Sequence, residues 1–257
     1  MKIASWNVNS LKVRLQQVLD WLASAQPDLV GLQETKTPDE VFPHAELEAA
    51  GYRAICSGQK TYNGVAILSR LPDEPEDIVT DLPGVEDPQR RVLGATYGRL
   101  RLLNLYVPNG QAVGSDKYAY KLQWLARLAD HVKDELQRHP RLTVIGDFNI
   151  APEDRDVHDP QLWEGSVLVS PPERAAFSAL IDLGLSDTLR QFEPEEPVFS
   201  WWDYRGGAFR RNMGLRIDLI LASSALGKAC TASGVDKEPR RWPRPSDHAP
   251  AVAEFTL

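Results

Sequence analysis

The stretch "VIGDFNIAP" (144–152) decides how this chain is read. Val144 and Ile145 are β-branched and look like the end of a buried strand. The run then stops at Gly146, Asp147, Phe148 and Asn149. Successive strand side chains alternate between faces. Asp147 and Asn149 therefore share one side, and Phe148 turns to the other, into packing. A carboxylate and an amide at a strand end are ordinary turn formers. They are also what the rim of a site on a rigid sheet would be made of.

Other apolar runs end the same way. "SWNVNS" offers Asn7 and Asn9, "VGLQETK" offers Glu34, and "NLYVPNG" offers Tyr106 and Asn109. "LRIDLIL" holds Asp218 inside an apolar run, and "PSDHAP" sets Asp247 and His248 before the last one. Alternation puts Leu215, Ile217, Leu219 and Leu221 on one face, and Arg216, Asp218 and Ile220 on the other. A charge in mid-strand is costly if buried alone, so Asp218 faces solvent or meets a partner. Each residue has a plain alternative. Glu34 could open a helix, His248 could be structural, and Asp218 could sit on a wet edge. Six separate segments ending in such groups point instead to one cleft.

Seven short runs read as strands: "KIASWNV", "DLVGLQ", "GVAILS", "RLLNLYV", "RLTVIGDF", "RIDLILAS" and "PAVAEFTL". Amphipathic helices are predicted over 11–24, 117–139 and 172–184, the last closing on Gly184. Strands outnumber helices, which does not suit a strict βαβα barrel. The pattern suits two sheets packed face to face with helices outside. No repeat, linker or apolar run of membrane-spanning length interrupts the 257 residues, so one domain over 1–257 is expected. The start lacks an export signal, and the two cysteines, Cys56 and Cys230, match no metal spacing. A cytoplasmic monomer with free thiols and no membrane partner is expected.

The chemistry narrows by elimination. There is no phosphate loop, no dinucleotide fingerprint and no nucleophile elbow. Oxygen ligands, amides and one imidazole remain, which suit a hard cation such as Mg²⁺ and phosphate-ester hydrolysis. The net charge of −7 argues against a nucleic-acid partner. The local balance is different. Trp201, Trp202, Tyr204 and Phe209 are interleaved with Arg205, Arg210, Arg211 and Arg216. Such a segment is either a core aromatic cluster with a wet basic loop or a surface for stacking and phosphate contact.

"WNVNS", "LQETK", "YVPNG", "GDFNIAP", "GLRIDLIL" and "SDHAP", in this order from residue 6 to 250, resemble the exonuclease III family of DNA-repair nucleases. That family lies within the endonuclease/exonuclease/phosphatase superfamily. The resemblance covers essentially the whole chain. It implies an α/β fold, a four-layered α-β-β-α sandwich of two mixed sheets. It implies that Glu34, with Asn7 close by and Asp247 on the metal side, binds Mg²⁺, with Mn²⁺ as a substitute. It implies that Asp147 activates water, Asn149 helps hold it, Tyr106 meets the scissile phosphate, and His248, oriented by Asp218, contacts a phosphate oxygen. Trp201 would line a sugar pocket near Leu215 and Ile217. Arg90, Asn109, Lys121 and Arg205 would contact DNA.

The implied partner is double-stranded DNA with abasic sites or 3′ ends, and the implied activity is cutting 5′ to abasic sites, trimming 3′ ends, or both. A strict 3′-end exonuclease is the alternative. A lipid- or inositol-phosphate esterase and an inactive relative that only binds are the other readings. The loop 158–174, with Trp163, Val167, Leu168 and Val169, is expected to restrict the sugar pocket and favour 3′-end processing.

Overall fold

A computed structural model describes every residue except Glu86 and Pro194. The described residues form twelve strands and six α-helices. The strands are β1 (Lys2–Asn7), β2 (Leu29–Gln33), β3 (Arg53–Ser57), β4 (Val65–Ser69), β5 (Glu76–Val79), β6 (Val92–Tyr97), β7 (Leu100–Tyr106), β8 (Leu142–Asp147), β9 (Leu185–Asp187), β10 (Asp218–Ser223), β11 (Cys230–Val235) and β12 (Ala251–Phe255). The longer helices are α1 (Leu11–Ala25), α3 (Asp116–Arg138) and α5 (Pro171–Asp182); α2 (His44–Ala49), α4 (Pro160–Trp163) and α6 (Ser224–Gly227) are short.

The strands make two six-stranded sheets, ordered β11-β12-β1-β2-β4-β3 and β5-β6-β7-β8-β10-β9. Each is mixed. The β1–β2 and β7–β8 pairs are parallel, and the rest are antiparallel.

Alternation then builds the layers. On β8, Leu142 and Val144 face α3 and α5, while Ile145 packs between the sheets. On β1, Ala4 and Trp6 face α1, and Ile3 packs between the sheets. Three apolar layers result: helix on sheet, sheet on sheet, sheet on helix. This is the expected α-β-β-α sandwich.

The three expected helices form, and Gly184 follows the α5 cap with φ +104°. Five strands were not anticipated: β3, β5, β6, β9 and β11. Four of them are the sheet edges. Edge strands are short and half wet, so their apolar signal is weak. The fifth, β6, is broken in sequence by Gly94. One expectation needs correcting. The strand in "GLRIDLIL" begins only at Asp218, so Leu215 and Ile217 belong to the loop before it.

Candidate active site

The inter-sheet face ends in polar groups at one rim. β1, β2, β7 and β8 reach it by their C-terminal ends, delivering Asn7, Glu34, Tyr106 and Asp147. β10 and β12 run the other way and reach it by their N-terminal ends, with Asp218 and, just ahead of β12, His248. Gly146 makes the β8 ending possible. Its φ is +152°, and a Cβ there would lie 2.0 Å from the Leu105 carbonyl oxygen. Phe148 turns away and meets Phe177 of α5 edge-on at 6.3 Å, as alternation required.

Asn7 ties the two sheets together. Its Nδ2 donates to Glu34 Oε1 and to Asp147 Oδ2, each at 2.9 Å. Asp147 Oδ1 accepts from the Asn149 backbone N–H at 2.9 Å. Asn149 sits at φ +48°, a conformation Asn tolerates. Its side chain donates to the Val107 carbonyl and accepts from Asn109 Nδ2 at 3.1 Å. Across from Asp147, His248 Nδ1 lies 2.8 Å from Asp218 Oδ2, and His248 Nε2 lies 3.8 Å from Asp147 Oδ2. Asp218 has therefore met a partner. Ser200 supports it, donating to Asp218 Oδ2 at 2.6 Å and accepting from the Ile217 and Asp218 N–H groups.

Burial and charge set the protonation states. Burial holds the Asp147 carboxyl well above the usual carboxylate range, although His248 opposes it. Burial would lower His248, but the Asp218 and Asp147 carboxylates outweigh it and push the imidazole up to about 10. His248 is therefore an imidazolium, a hydrogen-bond donor. Burial, with Glu34 and Asp147 adding to it, keeps Tyr106 a neutral phenol. Burial would raise Glu34, but Lys36 and the Asn7 hydrogen bond hold it below its usual value.

One atom each from Glu34, Asp147 and His248 lies within 4.8 Å of the others, a group able to hold a metal ion. With the imidazole protonated, carboxylate oxygens carry the donor set, and such a set fits a hard divalent cation. Asp247 lies outside this group. Its oxygens accept from Trp201 Nε1 and Asn9 Nδ2, both at 3.0 Å.

The expected DNA contacts divide. Arg205 is exposed, Arg90 is half-buried, and Trp201 packs against a buried apolar cluster of Val157, Leu168, Leu215 and Ile217. Lys121 is different. It is fully buried against Glu173 and is closed to a DNA backbone. Arg216 is buried too, bound to Asp156 and Asp187, and Trp202 is core. Sequence reasoning missed Ser200, and no spacing rule ties it to Asp218. Arg91, in the basic run 89–91, holds its guanidinium 4.7 Å above the Tyr106 ring. Lys117, exposed one turn before Lys121, lines an open cleft of about 730 Å³ with Tyr62, Arg91 and Asn109. Helical spacing does not separate the two lysines, because residues four apart share a face; Lys117 is exposed in the first turn of α3, whereas Lys121, one turn on, meets Glu173.

Two mixed sheets flanked by helices, with carboxylates and an imidazolium at one rim, define a metal-dependent phosphoesterase scaffold. The endonuclease/exonuclease/phosphatase family model matches residues 4–248, and the chain belongs to that family, in its exonuclease III-like branch. It is 37% identical to exodeoxyribonuclease III of Haemophilus influenzae, covering 99% of this chain and 100% of the relative. It is similar to the structure of the 3′ phosphatase NExo from Neisseria bound to a product DNA hairpin, with 50% identity, full coverage of both chains and a TM-score of 0.98. An AP endonuclease from Archaeoglobus fulgidus superposes with a TM-score of 0.95 at 38% identity, again covering both chains fully. No helix among the described residues is long and apolar enough to cross a membrane.

Proposed function

We propose that residues 1–257 form one Mg²⁺-dependent DNA phosphodiesterase domain that processes 3′ ends of duplex DNA and also hydrolyses phosphodiesters 5′ to abasic sites. The observation that carries this is the charge layout at the rim. Two carboxylates bridged by Asn7 face the buried His248, itself paired with Asp218, beside an apolar cluster under Trp201 and the exposed Arg205. We read the protein as a cytoplasmic monomer whose thiols, Cys56 and Cys230, are free.

Glu34, oriented by Asn7, would hold the Mg²⁺, with Asp147 facing it. When bound, a divalent ion polarises the phosphoryl group and offsets charge on its oxygens. The side chains do the rest. Asp147, kept basic by burial, takes the proton of the attacking water, while Asn149 and Asn109 fix where that water sits. His248 donates Nε2–H to a phosphate oxygen where negative charge develops. Asp218 and Ser200 keep the ring aimed and charged. Tyr106 stays protonated under Arg91 and donates to the phosphate from the opposite wall. Trp201 and the apolar cluster beneath it receive the terminal sugar, and Arg205, Arg90 and Lys117 contact the backbone.

The 3′ preference draws support from two facts. The Neisseria relative at 50% identity is described as a 3′ phosphatase. Leu168 lies in the apolar cluster under Trp201 and is held at φ +78°.

The test uses two labelled duplexes, one with an abasic-site analogue and one with a recessed 3′ end. Each is incubated with Mg²⁺ or EDTA, using the natural protein and Asp147→Asn. Mg²⁺-dependent cutting that disappears in the variant is expected. No cutting of either duplex by folded protein would sink the proposal.

A further inference from the structure

Lys121 and Glu173 are each completely buried and bonded to one another. Taking two ions out of water costs several kcal/mol per ion, and an apolar pair of equal size is often as stable. The reason for such a pair lies in its other hydrogen bonds. Lys121 Nζ also donates to the Asn149 carbonyl at 2.6 Å and the Asn109 carbonyl at 3.1 Å. These residues also bond side chain to side chain in front of Asp147. One ammonium thus holds both loops that carry the water-positioning amides. Glu173 reaches the other way. Its Oε1 accepts from the Leu168 N–H at 3.0 Å, and its Oε2 from the Ser170 N–H at 3.1 Å. Leu168 belongs to the buried apolar cluster under Trp201, the proposed lining of the sugar site. Gly110 leaves little slack, because a Cβ there would sit 3.1 Å from Lys121 Cδ and 3.3 Å from Val167.

We propose that Lys121 and Glu173 are a positioning pair that ties the Asn109 and Asn149 amides to the Leu168 wall of the sugar pocket. The pair lets the pocket wall and the amides keep one fixed spacing around the scissile phosphate. It acts on turnover and leaves DNA affinity unchanged. This rests on the nuclease reading above.

The test compares the natural protein with Lys121→Met, Glu173→Gln and the double variant on a recessed 3′ duplex with Mg²⁺. It measures kcat, KM, the salt dependence of DNA binding, and stability in urea. Lys121→Met is expected to lower kcat by about 10- to 100-fold, as small misplacements do. KM and the salt slope should hold. The double variant has no unpaired buried charge, so it should regain stability and still lack turnover. A rise in KM with a salt slope smaller by about one would mean that Lys121 meets a phosphate, and would overturn the proposal. So would a double variant that recovers kcat along with stability. Cutting by the natural protein with unchanged variants defeats the pair alone. No cutting by the natural protein defeats the nuclease reading and the pair with it.

Discussion

At the scale of single residues, the site depends on keeping His248 charged. Asp218 is its near partner, and replacing it with Asn removes half of a buried ion pair. Breaking such a pair costs about 3–5 kcal/mol. Losing one preorganised donor at a transition state costs roughly 10²–10³ in rate. Asp218→Asn should therefore lower the urea midpoint and slow single-turnover cleavage by about that factor. A variant that cuts at the natural rate would remove His248 from the chemistry. Leu168 supports a second prediction. A leucine at φ +78° is held in a region glycine occupies freely. Leu168→Gly should relax the backbone, open the pocket and raise the ratio of abasic-site cutting to 3′ trimming severalfold. An unchanged ratio would mean that the wall does not choose the substrate. Much at this scale was legible. Glu34, Asp147, Asn149 and His248 announce themselves as polar ends of apolar runs. Lys121 and Arg216 did not, because a basic residue looks the same in sequence whether it meets a phosphate or a buried carboxylate.

Among the elements, α3 carries both the positioning lysine and a buried histidine. His131 has no hydrogen-bond partner on either ring nitrogen, and burial lowers its pKa below the ordinary 6.5, with Arg101 and Arg138 adding to the effect against Glu135. Below about pH 6.5 the unfolded chain binds a proton that the folded chain resists. His131 therefore adds stability above that pH, and the contribution is lost as pH falls from 6.5 through its folded value. Urea midpoints measured at pH 7 and 5.5 should fall less for His131→Gln than for the natural protein. An equal fall would place the acid sensitivity elsewhere. Helices such as α3 were readable because a 3.6-residue stripe is long and repeated. The edge strands β3, β5, β9 and β11 were not, since only one side of each is paired and their composition drifts toward loop.

For the whole molecule, the decisive feature is the seam between the sheets. Asn7, Glu34 and His248 belong to one sheet, and Tyr106, Asp147 and Asp218 to the other. A polar lock lies directly behind them. Asn104 Nδ2 donates to the Leu32 and Ala66 carbonyls, both at 2.9 Å, and its Oδ1 accepts from Gln33 Nε2 at 2.6 Å. Gly31 allows that approach, since a Cβ there would come within 2.7 Å of the Asn104 side chain. Asn104→Ala strands these buried groups and should cost at least about 2 kcal/mol, seen as a lower urea midpoint at unchanged slope. A midpoint within error of the natural protein's would mean that apolar packing alone sets the sheet spacing. The sequence by itself determined the layered class, the face each strand turns inward, and the polar groups at the strand ends, because those follow from local period and from motifs in order. The tertiary structure alone decided which groups pair. Asn7 meets Asp147 across 140 residues, Ser200 meets Asp218, and Lys121 turns inward to Glu173. Periodicity records which side of its own element a residue faces, whereas burial and partnership depend on what another element brings opposite it.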